Sequence, residues 1–341
     1  MKKTFFRTGA LLGFSLALLT GCGNPAGGGE EGREDLSRYR EMRQVIPPGE
    51  TVQVTGGGGS GAFPESRNLT LGAFCIARYE TTWELWREVY DWAQAHEYRI
   101  ANPGTEGHGT SGTGDQSKGW PKSRRTLRPV TGVSWRDAVV WCNAYSEMTG
   151  REPVYYTEDG GAVLRESVNN TENYARIDTA ADRAKMMTAK NGFRLPTEAE
   201  WEFAARGGDS EAPDWAFAYA GSGIIGEVAW YGENASVPGS PDYGAHPAGT
   251  KTGGMYRGAN RLDLYDMSGN VYEWCWDWYG DDDEIRPETG PEGSGPGVFA
   301  HRVIRGGNWT SYAGACKTAN RNYFRPFSRS PVIGFRLAAS L

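Results

Sequence analysis

The chain has 341 residues, with 36 Lys and Arg against 42 Asp and Glu and a net charge of −6. No basic stripe or tail stands out, which argues against a nucleic-acid partner, and 38% hydrophobic content is enough for a real core. The counts of 48 Gly and 13 Trp predict long ordered loops pinned by aromatics, because glycine supplies turns with positive φ and tryptophan supplies large buried contacts with one polar handle.

In chain order, the first element is an export signal over residues 1–21. Lys2, Lys3 and Arg7 form its charged end, and an apolar run over residues 11–19 is too short to span a bilayer comfortably. Leu19-Thr20-Gly21-Cys22 follows, a bacterial lipobox pattern in which small residues suit the peptidase cleft and the Cys22 thiol takes the lipid. Acyl chains contribute about 0.8 kcal/mol per buried CH₂, so several together hold a protein on a membrane. No Asp follows Cys22, which favours outer-membrane sorting and surface exposure. Residues 22–41 are polar and Gly/Glu-rich and predict a flexible tether, with a single domain over 42–341. Four further cysteines, Cys75, Cys142, Cys275 and Cys316, fit no zinc spacing. Export permits disulfides, while the apolar neighbours of Cys75, Cys142 and Cys275 equally suit buried free thiols.

A strand and turn over 45–54 opens the folded body, and a mobile loop is predicted over 56–61. Three capping boxes announce helices: Thr81 with Glu84, Ser134 with Asp137, and Thr197 with Glu200. Behind them Trp83, Trp86, Tyr90 and Ala93, then Ala138, Trp141, Tyr145 and Met148, recur at helical spacing as core. The third helix carries Trp201, Ala204 and Ala205. Gly150 and Gly207 are the predicted stops of the second and third. The remainder predicts short strands and long loops, with 207–260 and 277–300 rich in Gly, Pro, Asp and Ser. Loops of that length are usually functional or held by a metal.

Residues 191–202, NGFRLPTEAEWE, resemble the central signature of the formylglycine-generating enzyme, or sulfatase-modifying factor, family. Further stretches agree in order: YETT at 79–82, PVTGVSW at 129–135, LYDMSGNVYEW at 264–274, and RGGNW at 305–309 followed by GFR at 334–336. The resemblance covers nearly everything after residue 42. It implies an α+β fold of the C-type-lectin type, with a small mixed sheet, two main helices and long irregular loops. It also implies a structural calcium on Asp266, Gly269, Val271 and Glu273. The alternative is that Glu273 forms an ion pair and Asp266 caps a turn.

Two functions follow from the resemblance. The family's oxidases turn a protein cysteine into formylglycine with two cysteines five positions apart, whose soft thiolates hold copper. Here the first position is Cys316 and the second is Arg321, which cannot bind copper. Other members are non-enzymatic ligand binders, among them variable treponemal lipoproteins diversified by retroelements. Like them, this chain would use the segment between Arg305-Gly306-Gly307 and Gly334-Phe335-Arg336 to meet a protein or glycan ligand. The contact residues expected there, clustered on one solvent-facing patch, are Thr310, Ser311, Tyr312, Gly314, Lys317, Asn320, Asn322, Tyr323, Phe324 and Phe327. Tyr, Ser and Asn make adaptable binding surfaces, and of the aromatics Phe324 is the one expected to be core.

Overall fold

The N-cap of the first helix is Thr82, one residue after the predicted Thr81. Its side-chain oxygen accepts the Leu85 N–H, and α1 runs over Trp83–Gln94. Leu85, Trp86, Val89 and Ala93 bury one face, as an apolar stripe of this period requires. The other two capping boxes form as read. Ser134 and Asp137 exchange bonds at the start of α2, Trp135–Met148, and Thr197 and Glu200 do so at the start of α3, Glu198–Ala205. Gly150 (φ 74°) and Gly207 (φ 95°) follow the last two helices in the left-handed region. The computed structural model describes residues 37–55, 61–63, 68–107, 127–168, 179–240, 242–280 and 301–341. The export signal, Cys22, most of the tether, 56–60 and 281–300 lie outside them. Ser37–Arg40 already forms a 3-10 turn, with Tyr39 buried against Tyr79 at 5.0 Å between ring centroids. Tyr39, within the predicted tether, thus packs on the body of the fold.

Two four-stranded sheets frame the molecule. The predicted strand and turn over 45–54 becomes β1 (Met42–Ile46) and β2 (Val52–Thr55), which do not pair with each other. β2 pairs with β3 (Asn68–Leu71), and β1 pairs antiparallel with β4 (Phe74–Ala77). The first sheet is completed by β5 (Phe193–Arg194) and β10 (Ala338–Ser340) in the order β1-β4-β10-β5, so the first and last described strands meet in one sheet. The second sheet has the order β8-β7-β6-β9, built from β6 (Tyr272–Trp278), β7 (Arg302–Arg305), β8 (Arg321–Phe324) and β9 (Ile333–Gly334). β6 and β9 run parallel and the other pairs antiparallel, a mixed sheet.

The alternation of side chains along β6 distributes the chemistry. Trp274 and Trp276 enter the main core, where Tyr155 stacks on Trp276 and Trp135 packs against it at a tilt. Glu273, Cys275 and Asp277 point the other way, under α3. Glu273 accepts from Trp201, Cys275 shares a cluster with Trp201 and Phe203, and Asp277 accepts the Glu198 N–H. In the main core Trp86 and Trp141 stack in parallel at 5.5 Å, and Phe335 meets both edge-on. Offset and edge-to-face arrangements of this kind contribute beyond their buried area. All four described cysteines are buried free thiols.

Candidate functional site

The segment between the two signature arginines hangs from buried cations. Arg305, at the end of β7, reaches Glu202 and Glu198 of α3 and also donates to the Thr318 and Asn320 carbonyls. Arg336 binds both oxygens of Glu273 at 2.6 and 2.7 Å. Both guanidinium groups are fully buried, so each needs its carboxylate, and removing one partner of such a pair costs more than the pair contributes net. Gly307 (φ 76°) turns the chain out of β7, and a Cβ there would come within 2.6 Å of Cys316 Sγ. Gly334 packs as tightly, since its Cβ would meet the Val130 carbonyl oxygen at 2.4 Å.

Between these anchors the chain makes a 3-10 turn over Ala313–Cys316 and then β8. Asn308 organises the first part. Its Oδ1 accepts the Thr310 N–H and hydroxyl, both at 2.7 Å, while its N–H donates to Ser311 Oγ. Thr310, Tyr312 and Lys317 are exposed, and Ser311 and Gly314 are partly so. Tyr312 is 73% exposed and lies across Gly314, where a Cβ would come within 2.7 Å of the ring.

β8 divides the rest. Arg321 and Tyr323 face Tyr279, with the Tyr279 and Tyr323 ring centroids 4.5 Å apart and His301 4.7 Å from Tyr323. Asn322 and Phe324 take the opposite face, Asn322 donating to the Tyr272 hydroxyl and Phe324 lying 6.3 Å from Trp274. Asn320 is partly exposed, Tyr323 is 45% exposed and Phe324 36%. Two expectations change here. Phe327, not Phe324, is the buried aromatic: it is 9% exposed and packs on Trp278 and Arg136. The residues of β8 also do not share one face, because a strand sends successive side chains to opposite sides. They belong to one region because β8 is an edge strand.

The two positions that the oxidase chemistry would need are occupied otherwise. Cys316 sits in a cluster with Tyr219, Val228, Ala229 and Tyr231 and no other cysteine. Burial pushes its thiol up to about 12, so the thiolate, the form that binds metal, is scarce. Arg321 binds both oxygens of Glu198, Nε to Oε1 at 2.8 Å and Nη2 to Oε2 at 3.0 Å. No second soft donor faces Cys316 from position 321, and copper does not fit these residues.

The calcium set has a similar difficulty. Glu273 is engaged by Arg336 through both oxygens and by the Trp201 indole N–H at 2.6 Å. Asp266 has φ 57° and accepts the Gly249 N–H through Oδ2, leaving Oδ1 buried without a partner. The turn between them is held by the Gly269 N–H on the Gly306 carbonyl and the Val271 N–H on Glu80, bonds that do not involve the carbonyl oxygens of Gly269 and Val271. Among the described residues no group of three or more His, Cys, Asp and Glu side chains is placed to hold a metal. Glu273 thus forms an ion pair with Arg336, and Asp266 sits at a turn closed by the Gly249 N–H. Glu80, inside the YETT stretch, is the member of this cluster that sequence reasoning passed over. Burial, then Asp266 and Glu273, push its carboxyl well above the usual range, while Arg336 opposes the shift.

The comparisons with known proteins agree with this architecture. The profile of the sulfatase-modifying factor enzyme 1-like domain matches residues 34–341. Chaperone protein LppX of Paenibacillus barcinonensis is 34% identical over 293 residues, covering 82% of this chain and 87% of that protein. The formylglycine-generating enzyme of Streptomyces coelicolor is 33% identical over 213 residues, covering 61% of this chain and 59% of that protein. Among solved structures, Treponema denticola variable protein 1 superposes with a TM-score of 0.62 at 30% identity, covering 88% of this chain and 95% of that chain. The arginine anchors, the mixed sheet and the helix order thus sit in a C-type-lectin-like fold, and the chain belongs to the sulfatase-modifying factor enzyme 1-like family.

Proposed function

We propose that the protein is a lipid-anchored binding protein of the cell envelope, displayed at the outer membrane and facing outward, that meets a ligand through residues 310–324. The observation that carries this reading is Arg321. Its guanidinium is spent on Glu198, so position 321 supplies an anchor for the display strand where an oxidase would need a thiol. The segment combines buried anchors with outward Thr310, Tyr312, Lys317, Tyr323 and Phe324. Exposed aromatics on a rigid base bury large area at low entropy cost, as an interface hot spot requires. The likeness to a protein called variable supports replaceable residues at these positions, and diversification by a retroelement is part of the proposal. The likeness to a protein called a chaperone supports a polypeptide ligand over a glycan.

The test is simultaneous replacement at Thr310, Tyr312, Lys317, Tyr323 and Phe324. Folding survives with a nearly unchanged melting temperature while recognition of envelope ligands changes. Unfolding would assign these residues to the core and remove the site. In parallel, Cu(I), oxygen and a sulfatase-type cysteine peptide give no aldehyde, and turnover that disappears on Cys316→Ser would establish the oxidase instead. Mass spectrometry of the native N-terminal peptide finds an acylated Cys22, and a mature N-terminus elsewhere removes the anchor.

A further inference from the structure

We infer that the free edge of β8 takes an extended, acidic segment of a partner polypeptide, paired alongside the strand and held at its ends by Lys317, Arg325 and Arg329. The inference rests on the ligand-binding reading above and adds the chemical class of the ligand.

Charge is the first observation. Residues 301–341 contain seven Lys and Arg and no Asp or Glu, in a chain whose net charge is −6. Four of the seven are held by close partners: Arg302 lies between Trp135 and Trp278 at 3.6 and 3.5 Å, and Arg305, Arg321 and Arg336 bind α3 and β6 carboxylates, while Arg325 has, among the described residues, only the Phe327 ring, at 6.0 Å. Lys317, Arg325 and Arg329 take part in no ion pair among the described residues, and Lys317 and Arg329 are exposed. Lys317 closes a turn with Asn320 just before β8, and Arg325 closes a turn with Ser328 just after it. The unpaired cations therefore stand at both ends of the strand, separated by about 13 Å of extended chain.

The edge itself is the second observation. Among the described residues β8 is bonded to a strand on one side only, β7. The Tyr323 N–H donates to the neighbouring Asn322 Oδ1 at 2.8 Å, a contact that an incoming strand carbonyl can replace. Edges guarded against pairing carry free charge, proline or a bulge within the strand. Inside β8 the only charge is Arg321, which is neutralised by Glu198, and Asn322, Tyr323 and Phe324 follow without a break in register. Tyr323 and Phe324 lie on opposite faces and offer an aromatic to each side of an added strand. Main-chain pairing gives such an addition its affinity, and end charges and side-chain contacts give it register and specificity.

The experiment selects displayed short unconstrained peptides on the full-length protein, then measures the selected peptides by calorimetry. The inference expects enrichment in Asp and Glu, affinity that falls with ionic strength, loss of binding when alternate peptide nitrogens are methylated, and roughly tenfold or greater weakening on Lys317→Glu/Arg325→Glu/Arg329→Glu. The variants' melting temperatures are recorded, and single reversals replace the triple one if it destabilises the fold. Peptides that depend on Tyr312 and Tyr323 but are neutral, or that tolerate N-methylation, overturn the inference and leave the ligand-binding reading intact. Peptides insensitive to every replacement in 310–329 overturn both. Retention of a sulfated polysaccharide by the same three cations, with no peptide selected, overturns it in favour of a glycan.

Discussion

The Arg321 guanidinium clasps the Glu198 carboxylate at both oxygens, 2.8 and 3.0 Å, and so ties the edge strand of the second sheet to the first turn of α3. Glu198 is fully buried and also faces Arg305 at 3.5 Å. Arg321→Ala leaves a buried carboxylate with one weak partner and destabilises the protein by about 3–5 kcal/mol. Glu198→Gln in the same chain restores part of the loss. Denaturant unfolding of the two single variants and the double variant checks both, and additive losses would show that the residues do not act as a pair.

Exposure separates the display residues from the scaffold. Tyr312→Ala, at a side chain 73% exposed, changes stability by less than about 0.5 kcal/mol. Trp141→Ala, at a ring fully buried between Trp86, Phe335 and Tyr145, costs about 3–5 kcal/mol. Equal losses in chemical denaturation would place Tyr312 in the core.

Asp277 gives a pH signature. Burial, then the Glu198 carboxylate, push it up to about 7, against about 3.9 for a free Asp. Its folded value is raised, so the stability it contributes is fully present below about 4 and is lost as pH rises toward 7. Asp277→Asn keeps an oxygen for the Glu198 N–H and removes the titration. The variant therefore gains stability relative to the parent across this window, by at most about 1.4 kcal/mol for each unit of separation between the two values. The opposite contribution of His246, depressed to about 4 by burial, is common to both proteins and cancels in the difference. A difference that does not change between pH 4 and 7 would contradict the assignment.

Chelation with EDTA leaves the melting temperature unchanged, because Glu273 is neutralised by Arg336 and bonded by Trp201 rather than open to a cation. A calcium-dependent rise in melting temperature, with metal found by elemental analysis, would mean that Arg336 yields this carboxylate to the ion.

Much of this was legible in the sequence because it is local. Ser134 with Asp137 and Thr197 with Glu200 satisfy helix N-termini within three residues, so sequence spacing suffices to find them. The apolar spacing of α1 and the glycines after α2 and α3 are local in the same way. The ordered motifs, RGGNW and GFR among them, carried the family and its fold, and the arginine at position 321 argued against a copper site before any geometry. Three-dimensional packing decided the rest. It brings Glu198 to Arg321 across 123 residues and Glu273 to Arg336 across 63. It makes β8 an edge strand, buries Phe327 and leaves Phe324 out, and divides Tyr323 from Phe324 by the pleat. The identity of a charged or aromatic residue states which contacts it can satisfy, and only long-range packing in a low-dielectric interior selects which partner reaches it and which side chains are left to meet water or another protein.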